Sequence, residues 1–481
     1  MINVYTNREN YQYDLYALIK SFYPEHDVRV YGEEQRSSKQ DSGDQIIVQL
    51  SDNSMKVLID IDCKKEYEHT YKNNTDAIKK ECKLSIYNDL CDYTGKTLPW
   101  GNLTGIRPTK LSMGMLAEGK KDEEIVAWLK ETHAVSEEKA WLSIDIARRE
   151  KAILDRIHSE NGYSIYIGIP FCPTTCLYCS FTSYPIAVWR KRVKEYLQAL
   201  FREIDFVSKV YKNKILDTVY IGGGTPTTLE AEELDHLLQH VHNRFDFRQV
   251  KELTVEAGRA DSITREKLAV LKKNGVTRIS VNPQTMKDET LKYIGRQHTV
   301  TQVKDAFWLA REVGFDNINM DIILGLPEEL EADVQHTIDE IVQLNPDSLT
   351  VHSLAIKRAS KLSQWIEENG IATLHNTDST MEIARKGAYA LNMKPYYLYR
   401  QKNMSGNFEN VGYAREGKYG IYNILIMEEK QTIVACGAGS VSKRVYPDGR
   451  IERCENVKDL ASFMERIDEM IERKRKLLTD F

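Results

Sequence analysis

Three observations predict an α/β fold for this chain. Apolar or β-prone runs recur six times between residues 163 and 354, stretches with helical periodicity fill the intervals, and most of the unusual polar or glycine-rich residues fall at the C-terminal ends of the runs. Repeated β-α units with short connections require parallel strands, because each crossover must carry the chain back along the sheet. Six such units form either an incomplete (β/α) barrel or an open doubly wound sheet. Both architectures place ligand-binding loops at the C-terminal ends of the strands.

Composition narrows the classes further. The 481 residues suffice for about three domains of ordinary size. A hydrophobic fraction of 42% beside 28% charged residues is that of an ordinary globular protein, and excludes intrinsic disorder, a collagen and a disulfide miniprotein. With 66 Lys and Arg against 71 Asp and Glu the net charge is −5, which argues against a dedicated nucleic-acid or anionic-membrane surface. No apolar run approaches the ~20 residues of a membrane span. The opening Met1-Ile2-Asn3-Val4-Tyr5 lacks the basic-then-apolar order of a signal peptide. A cytoplasmic location is expected, with no nucleic-acid partner and no membrane span.

Residues 1–157 read as an N-terminal α+β domain with a helical linker. Ile46–Leu50 and Lys56–Ile61 are predicted strands around the turn-prone Ser51-Asp52-Asn53-Ser54, a helix follows over about 74–92, and 122–157 carry helical periodicity with Ile125, Trp128 and Leu129 on one face. Residues 158–394 form the (β/α) core. Its strands are predicted at Tyr163–Ile169, Thr218–Ile221, Leu253–Glu256, Arg278–Val281, Ile318–Leu324 and Leu349–Leu354. Its helices are predicted at Val188–Val210, Glu232–Phe245, Thr264–Asn274, Val303–Val313 and Glu331–Leu344. Residues 395–481 read as a C-terminal cap, with strands at Tyr396–Arg400, Ile421–Met427 and Thr432–Ala435 and a charged surface helix over Asp459–Leu478. The basic Arg473-Lys474-Arg475-Lys476 is expected to be a solvated helix end.

Three of the eight cysteines stand in Cys172-Pro-Thr-Thr-Cys176-Leu-Tyr-Cys179, directly after the first core strand. Clustered cysteines in a chain without an export signal favour metal binding or catalysis over disulfides. Three thiolates on one loop suit three irons of a [4Fe–4S] cube and leave the fourth iron free for another ligand. The alternative is a zinc site, which needs a fourth ligand that Cys436 or Cys454 could supply. Gly222-Gly223-Gly224-Thr225-Pro226 follows the second strand, where backbones without Cβ atoms can approach a ligand closely. Its spacing is not that of a dinucleotide fingerprint. Glu256 ends the third strand, Gln284 follows the fourth, Arg296 lies beyond it and Asp321 sits inside the fifth. A buried acid needs a partner, so either Asp321 pairs with Arg296 within the barrel, or these residues share a polar ligand with the cysteine loop. Cys63, Cys82 and Cys91 are expected to be buried thiols, and His298 and His352 to be hydrogen-bonded structural residues.

Together these motifs resemble the radical S-adenosylmethionine (radical SAM) enzymes: C-x3-C-x2-C after the first strand, with an aromatic residue, Tyr178, before the last cysteine, and GGGTP after the second. Tyr166, Glu256, Gln284, Arg296, Asp321 in Met-Asp-Ile-Ile-Leu-Gly-Leu-Pro, and Ala355 are similar to the oxygen-independent coproporphyrinogen III oxidase group. The HemZ-type dehydrogenase branch is the nearest, through Thr254-Val-Glu256-Ala-Gly-Arg259, Asn282-Pro-Gln284 and the stretch Pro395–Asn403. The resemblance implies a partial (β/α)6 radical SAM barrel. It implies that Cys172, Cys176 and Cys179 ligate a [4Fe–4S] cluster, and that the amine and carboxylate of S-adenosylmethionine bind its open iron. Tyr166, Tyr178, Gly223, Gly224, Thr225, Glu256, Gln284, Arg296, Asp321, Ala355 and Val441 would line sites for one or two molecules of that cofactor.

The reaction implied is oxidative decarboxylation of coproporphyrinogen III to protoporphyrinogen IX by a 5′-deoxyadenosyl radical. A tetrapyrrole substrate, a low-potential electron donor and an electron acceptor are the partners expected. Arg358, Arg400 and Lys402 are candidates for the substrate propionates. Phe181 stands where the bacterial oxidases of the group carry a further cysteine, as it does in haem-chaperone relatives. The alternatives are therefore a haem-binding chaperone or a radical SAM haem methyltransferase.

Overall fold

The computed structural model describes residues 1–36, 43–71, 76–105, 107–356, 360–370, 374–401 and 407–479. The chain forms two compact units, Met1–Arg148 with Leu398–Glu409, and Arg149–Tyr397 with Asn410–Phe481.

The first unit holds a sheet in the order Val28–Gly32, Ile2–Thr6, Gln45–Leu50, Ser54–Asp60, Lys64–Thr70. The first three strands run parallel and the remaining pairings are antiparallel. Ile46 and Val48, and Val57 and Ile59, turn alternate side chains into a core that also takes Leu15, Phe22 and Ile86 from two helices, Gln12–Phe22 and Asp76–Thr94. The helical stretch expected over 122–157 is two helices, Asp122–His133 and Glu137–Leu154, parted where Ala134 takes a left-handed φ of 53°. Cys82 is buried as expected, whereas Cys63 is exposed, because it lies in the turn between two strands. Glu409, fully buried, accepts hydrogen bonds from Trp100 Nε1 and Lys139 Nζ, both at 2.7 Å.

In the second unit the six core strands are Gly162–Ile169, Ile215–Gly223, Glu252–Glu256, Arg278–Ser280, Ile318–Leu324 and Ser348–Ser353. They are all parallel and lie side by side in chain order. Val255, Ile279, Met320 and Leu349 are each no more than 1% exposed, as strands covered on both faces require. The sheet continues past both ends of this series. Asn410–Ala414 pairs antiparallel with the sixth strand, and Thr432–Cys436 pairs parallel with the first, followed by Val441–Val445 and Ile451–Glu455. The core helices include Val193–Val210, Ala231–Arg244, Arg265–Lys273, Val300–Val313 and Glu331–Leu344.

Two expectations are corrected here. Ile421–Met427 is not a strand but the body of a helix, Ile421–Glu428. A short apolar run is compatible with either state. The helix is selected by the buried carboxylate of Glu252, which accepts from the amides of Ile421 (2.7 Å) and Tyr422 (3.3 Å) at its first turn. The segment read as one surface helix is two, Leu460–Glu465 and Ile467–Leu478, and the basic stretch is not wholly solvated. Lys474 is fully buried and pairs with the equally buried Glu203 at 2.5 Å, while its Nζ also donates to Asn456 at 2.7 Å. Helical spacing puts Lys474 on the face that also buries Met470, Leu477 and Leu478. Among the described residues no helix is long and apolar enough to cross a membrane.

Removing one partner of a buried ion pair leaves the other charge uncompensated, at a cost of about 3–5 kcal/mol. Lys474→Met is therefore expected to lower the thermal midpoint by about 4–7 °C. The exposed Lys476→Met should leave it unchanged, and circular dichroism melts of the two variants compare them directly.

Candidate functional site

The cysteine loop leaves the first core strand at Ile169 and is fastened by its backbone. Thr225 N donates to Phe171 O at 2.7 Å and Gly224 N to Ile169 O at 2.9 Å, so the loops after the first and second strands are joined at their roots. Leu177 N donates to Ile294 O and Thr174 Oγ1 to Gly295 O, which ties the far side of the loop to the segment after the fourth strand. Cys176 is buried, and Cys172 and Cys179 are half-buried. Thr225 Oγ1 donates to Cys172 Sγ at 3.5 Å. Burial pushes the Cys172 thiol up to about 11, against the lowering effect of Thr225.

The glycine loop is shaped for close approach. Gly223 has φ +112°, a conformation that L side chains rarely adopt, and a Cβ on Gly224 would lie 2.6 Å from Phe171 O and 3.0 Å from Cys172 Sγ. Tyr166, on the first strand, stacks with Tyr220 of the second and Tyr422 of the 421–428 helix, at ring separations of 6.2 and 6.3 Å. Burial raises the phenols of Tyr166, Tyr178 and Tyr220 above their ordinary range, so all three are neutral.

Glu256 closes the third strand. Its carboxyl accepts from Tyr220 Oη at 2.5 Å and from Gly223 N at 3.1 Å. Burial, reinforced by the charge of Asp321, raises it to about 7 in spite of those donors. Asp321 behaves oppositely: burial disfavours its charge, but His352, Asn319 and Thr350 more than offset this and hold it below the usual carboxylate range. Asn319 Nδ2 lies 2.6 Å from one oxygen of Asp321 and His352 Nε2 3.8 Å from the other. Asp321 is therefore not the partner of Arg296. The Arg296 guanidinium instead donates to Gly258 O (3.1 Å), Asn282 O (2.6 Å) and Tyr178 Oη (3.2 Å). Gln284, at φ +70°, bridges the fifth strand through its backbone, and its side chain is buried.

Tyr166, Tyr178, Gly223, Gly224, Thr225, Glu256, Gln284, Arg296 and Asp321 thus lie on the first five core strands and the loops that follow them, around the cysteine loop. Ala355 is half-buried just past the sixth strand. Val441 stands apart, 36% exposed, on a strand separated from the first core strand by Thr432–Cys436. His298 is buried with Nδ1 3.6 Å from Asp261. Arg400 is not free for a propionate, since it donates to Leu103 O and to Asn407. Arg358 and Lys402 lie outside the described residues.

The residues fit a missing polar ligand. Gln284 Oε1, Asn282 Oδ1 and Arg296 Nε are buried polar atoms without a hydrogen-bond partner, beside a glycine cradle and three thiols. Among the described residues, no group of three or more His, Cys, Asp or Glu is drawn together in the manner of ligands to a single ion.

This sheet and the loops at its C-terminal edge are those of a radical SAM protein, and the radical SAM superfamily matches residues 166–341. The chain is 43% identical over 414 residues to the oxygen-independent coproporphyrinogen-III oxidase-like protein HemZ of Bacillus subtilis, a match that covers 85% of this chain and 83% of that protein. It is also 39% identical over 196 residues to the haem chaperone HemW of the same organism, covering 40% of this chain and 51% of HemW. The fold matches that of coproporphyrinogen III oxidase (HemN) from Escherichia coli with a TM-score of 0.52 at 21% identity, over 67% of this chain and 72% of that one. The chain belongs to the HemZ-like, oxygen-independent coproporphyrinogen-III oxidase-like family of radical SAM proteins. That membership implies a [4Fe–4S] cluster and S-adenosylmethionine.

Sequence reading passed over Tyr220 and Tyr422, and named Asn282 and Arg259 only as parts of motifs, without a role of their own. For Tyr220 the signal was present, as an aromatic two residues before the glycine run. Tyr422 was hidden by the misread strand.

Glu256 keeps its proton in the folded protein at pH values where the unfolded chain has released it. Its contribution to stability is thus full below about 4.5 and is lost as pH rises towards about 7. Urea midpoints of the cofactor-free protein at pH 5 and pH 8 should differ less in Glu256→Gln than in the parent. Equal differences would contradict this assignment.

Proposed function

We propose that this protein is an oxygen-independent coproporphyrinogen III dehydrogenase, which converts two propionate side chains of a porphyrinogen to vinyl groups with loss of carbon dioxide. The observation that carries this reading is the 43% identity to HemZ over 85% of the chain. When bound, the reduced cluster with S-adenosylmethionine supplies the carbon radical that abstracts hydrogen from the propionate.

The chain's own residues hold and orient. Cys172, Cys176 and Cys179 ligate three irons, and the half-buried Cys172 gives up its proton as the metal binds. Gly223, Gly224 and Thr225 contact the methionine end of the cofactor, and at Gly224 the lack of a Cβ leaves room beside Cys172 Sγ. Glu256, Gln284, Arg296 and Asp321 supply the remaining polar contacts, with Tyr166, Tyr178 and Ala355 at the rim. Val441 supplies a further apolar contact, and the site takes one or two molecules of S-adenosylmethionine. The low-potential electron donor and the final electron acceptor are separate molecules.

A second reading, a haem-binding chaperone, is favoured by the similarity to HemW and by Phe181, which is 69% exposed two residues after Cys179.

The two readings separate in one anaerobic assay of the reconstituted protein with coproporphyrinogen III, S-adenosylmethionine and a reductant. The dehydrogenase yields protoporphyrinogen IX with 5′-deoxyadenosine and methionine, and Cys176→Ala abolishes all three. Stable haem binding without a decarboxylated product would replace it with the chaperone.

A further inference from the structure

Arg259 has no part in the binding set described above, yet its guanidinium reaches one of the three thiols. It follows the third core strand in Glu256-Ala-Gly-Arg259 and is 3% exposed. Its Nη1 lies 3.7 Å from Cys176 Sγ and 3.1 Å from Thr174 Oγ1, the hydroxyl that also donates to Gly295 O. Its other nitrogens form a two-point pair with Asp261, Nε to Oδ1 at 3.0 Å and Nη2 to Oδ2 at 2.7 Å. Asp261 has His298 on its other side at 3.6 Å. The guanidinium is thereby fixed by a planar fork, with Nη1 left to face both Thr174 and the sulfur.

The cysteines are served unequally. Cys172 receives a neutral hydroxyl from Thr225, whereas Cys176 receives a donor that carries full charge. Hydrogen bonds from charged donors are about twice as strong as neutral ones. Adding an electron to a cluster held by three thiolates adds negative charge to a buried anion. A fixed cation with an N–H towards one of the sulfurs stabilises the reduced form more than the oxidised form.

We propose that Arg259, clamped by Asp261, is a positioning residue that raises the reduction potential of the cluster held by Cys172, Cys176 and Cys179. The proposal rests on the reading of those cysteines as cluster ligands. Arg259 donates no atom to the chemistry and acts through Cys176.

The test is a potentiometric titration of the anaerobically reconstituted full-length protein with dithionite, followed by electron paramagnetic resonance, alongside iron analysis. Arg259→Gln keeps an N–H donor and removes the charge. It should retain iron yet shift the reduction equilibrium about tenfold towards the oxidised cluster, equivalent to about 59 mV for one electron. Arg259→Lys, which keeps the charge without the fork, should restore most of that shift. Full iron with an unchanged potential in Arg259→Gln overturns the proposal. Loss of iron from both variants also overturns it, since Arg259 would then serve only to hold the loop. A parent protein that assembles no cluster would instead overturn the reading of the cysteines on which the proposal stands.

Discussion

The geometry of the site depends on the register in which the first two core strands meet. Ile169 pairs with Gly223, and immediately beyond that pair the amides of Gly224 and Thr225 donate to the carbonyls of Ile169 and Phe171. In a parallel sheet buried on both faces, a slip of one residue would turn every side chain of a strand to the other side. Here it would also break the link between the cysteine loop and the glycine loop. Cys172, Tyr166 and the Gly222–Gly224 backbone keep their spacing because one short run of main-chain hydrogen bonds fixes it. The side chains of Glu256 and Tyr220 are then fitted to that frame.

Within the frame, the two carboxylates are set apart by their surroundings. Asp321 is surrounded by donors from Asn319, His352 and Thr350 and is ionised, whereas Glu256 has fewer donors and feels the charge of Asp321. Opposite charge lowers a carboxyl pKa, so Glu256 is the one of the two whose ionisation depends on what occupies the strand ends. The guanidinium of Arg296 spans from the carbonyls of Gly258 and Asn282 to the phenol of Tyr178. That brings a fixed positive charge to the same edge without consuming either carboxylate.

The parts legible in sequence were those with a local cause. Six apolar runs bounded by turn residues gave the parallel strands, and the cysteine and glycine spacings marked the ends of the first two. The parts missed depended on partners distant in the chain. Ile421–Glu428 is helical because Glu252 caps it, and nothing within the octet itself distinguishes a strand from a helix. Lys474 is buried because Glu203 waits for it, although its neighbours in sequence are basic and exposed or half-exposed. Asp321 and Arg296 offered opposite charges, but each found nearer dipoles. Arg259 stood in plain view within a motif, and only the fold shows which sulfur it faces.

The first core strand has two neighbours, Ile215–Gly223 on one side and Thr432–Cys436 on the other. On the ribosome those neighbours are made far apart in time. At about 5–20 residues per second, the second follows the first after on the order of ten seconds or more. Through that interval the nascent sheet ends in a bare row of amides and carbonyls on the strand that leads into the cysteine loop, and Glu203 has yet to meet Lys474. An unpaired edge is a template for pairing with other chains. A chaperone that shields this edge until the last strands emerge would therefore protect the nascent chain from pairing with its neighbours.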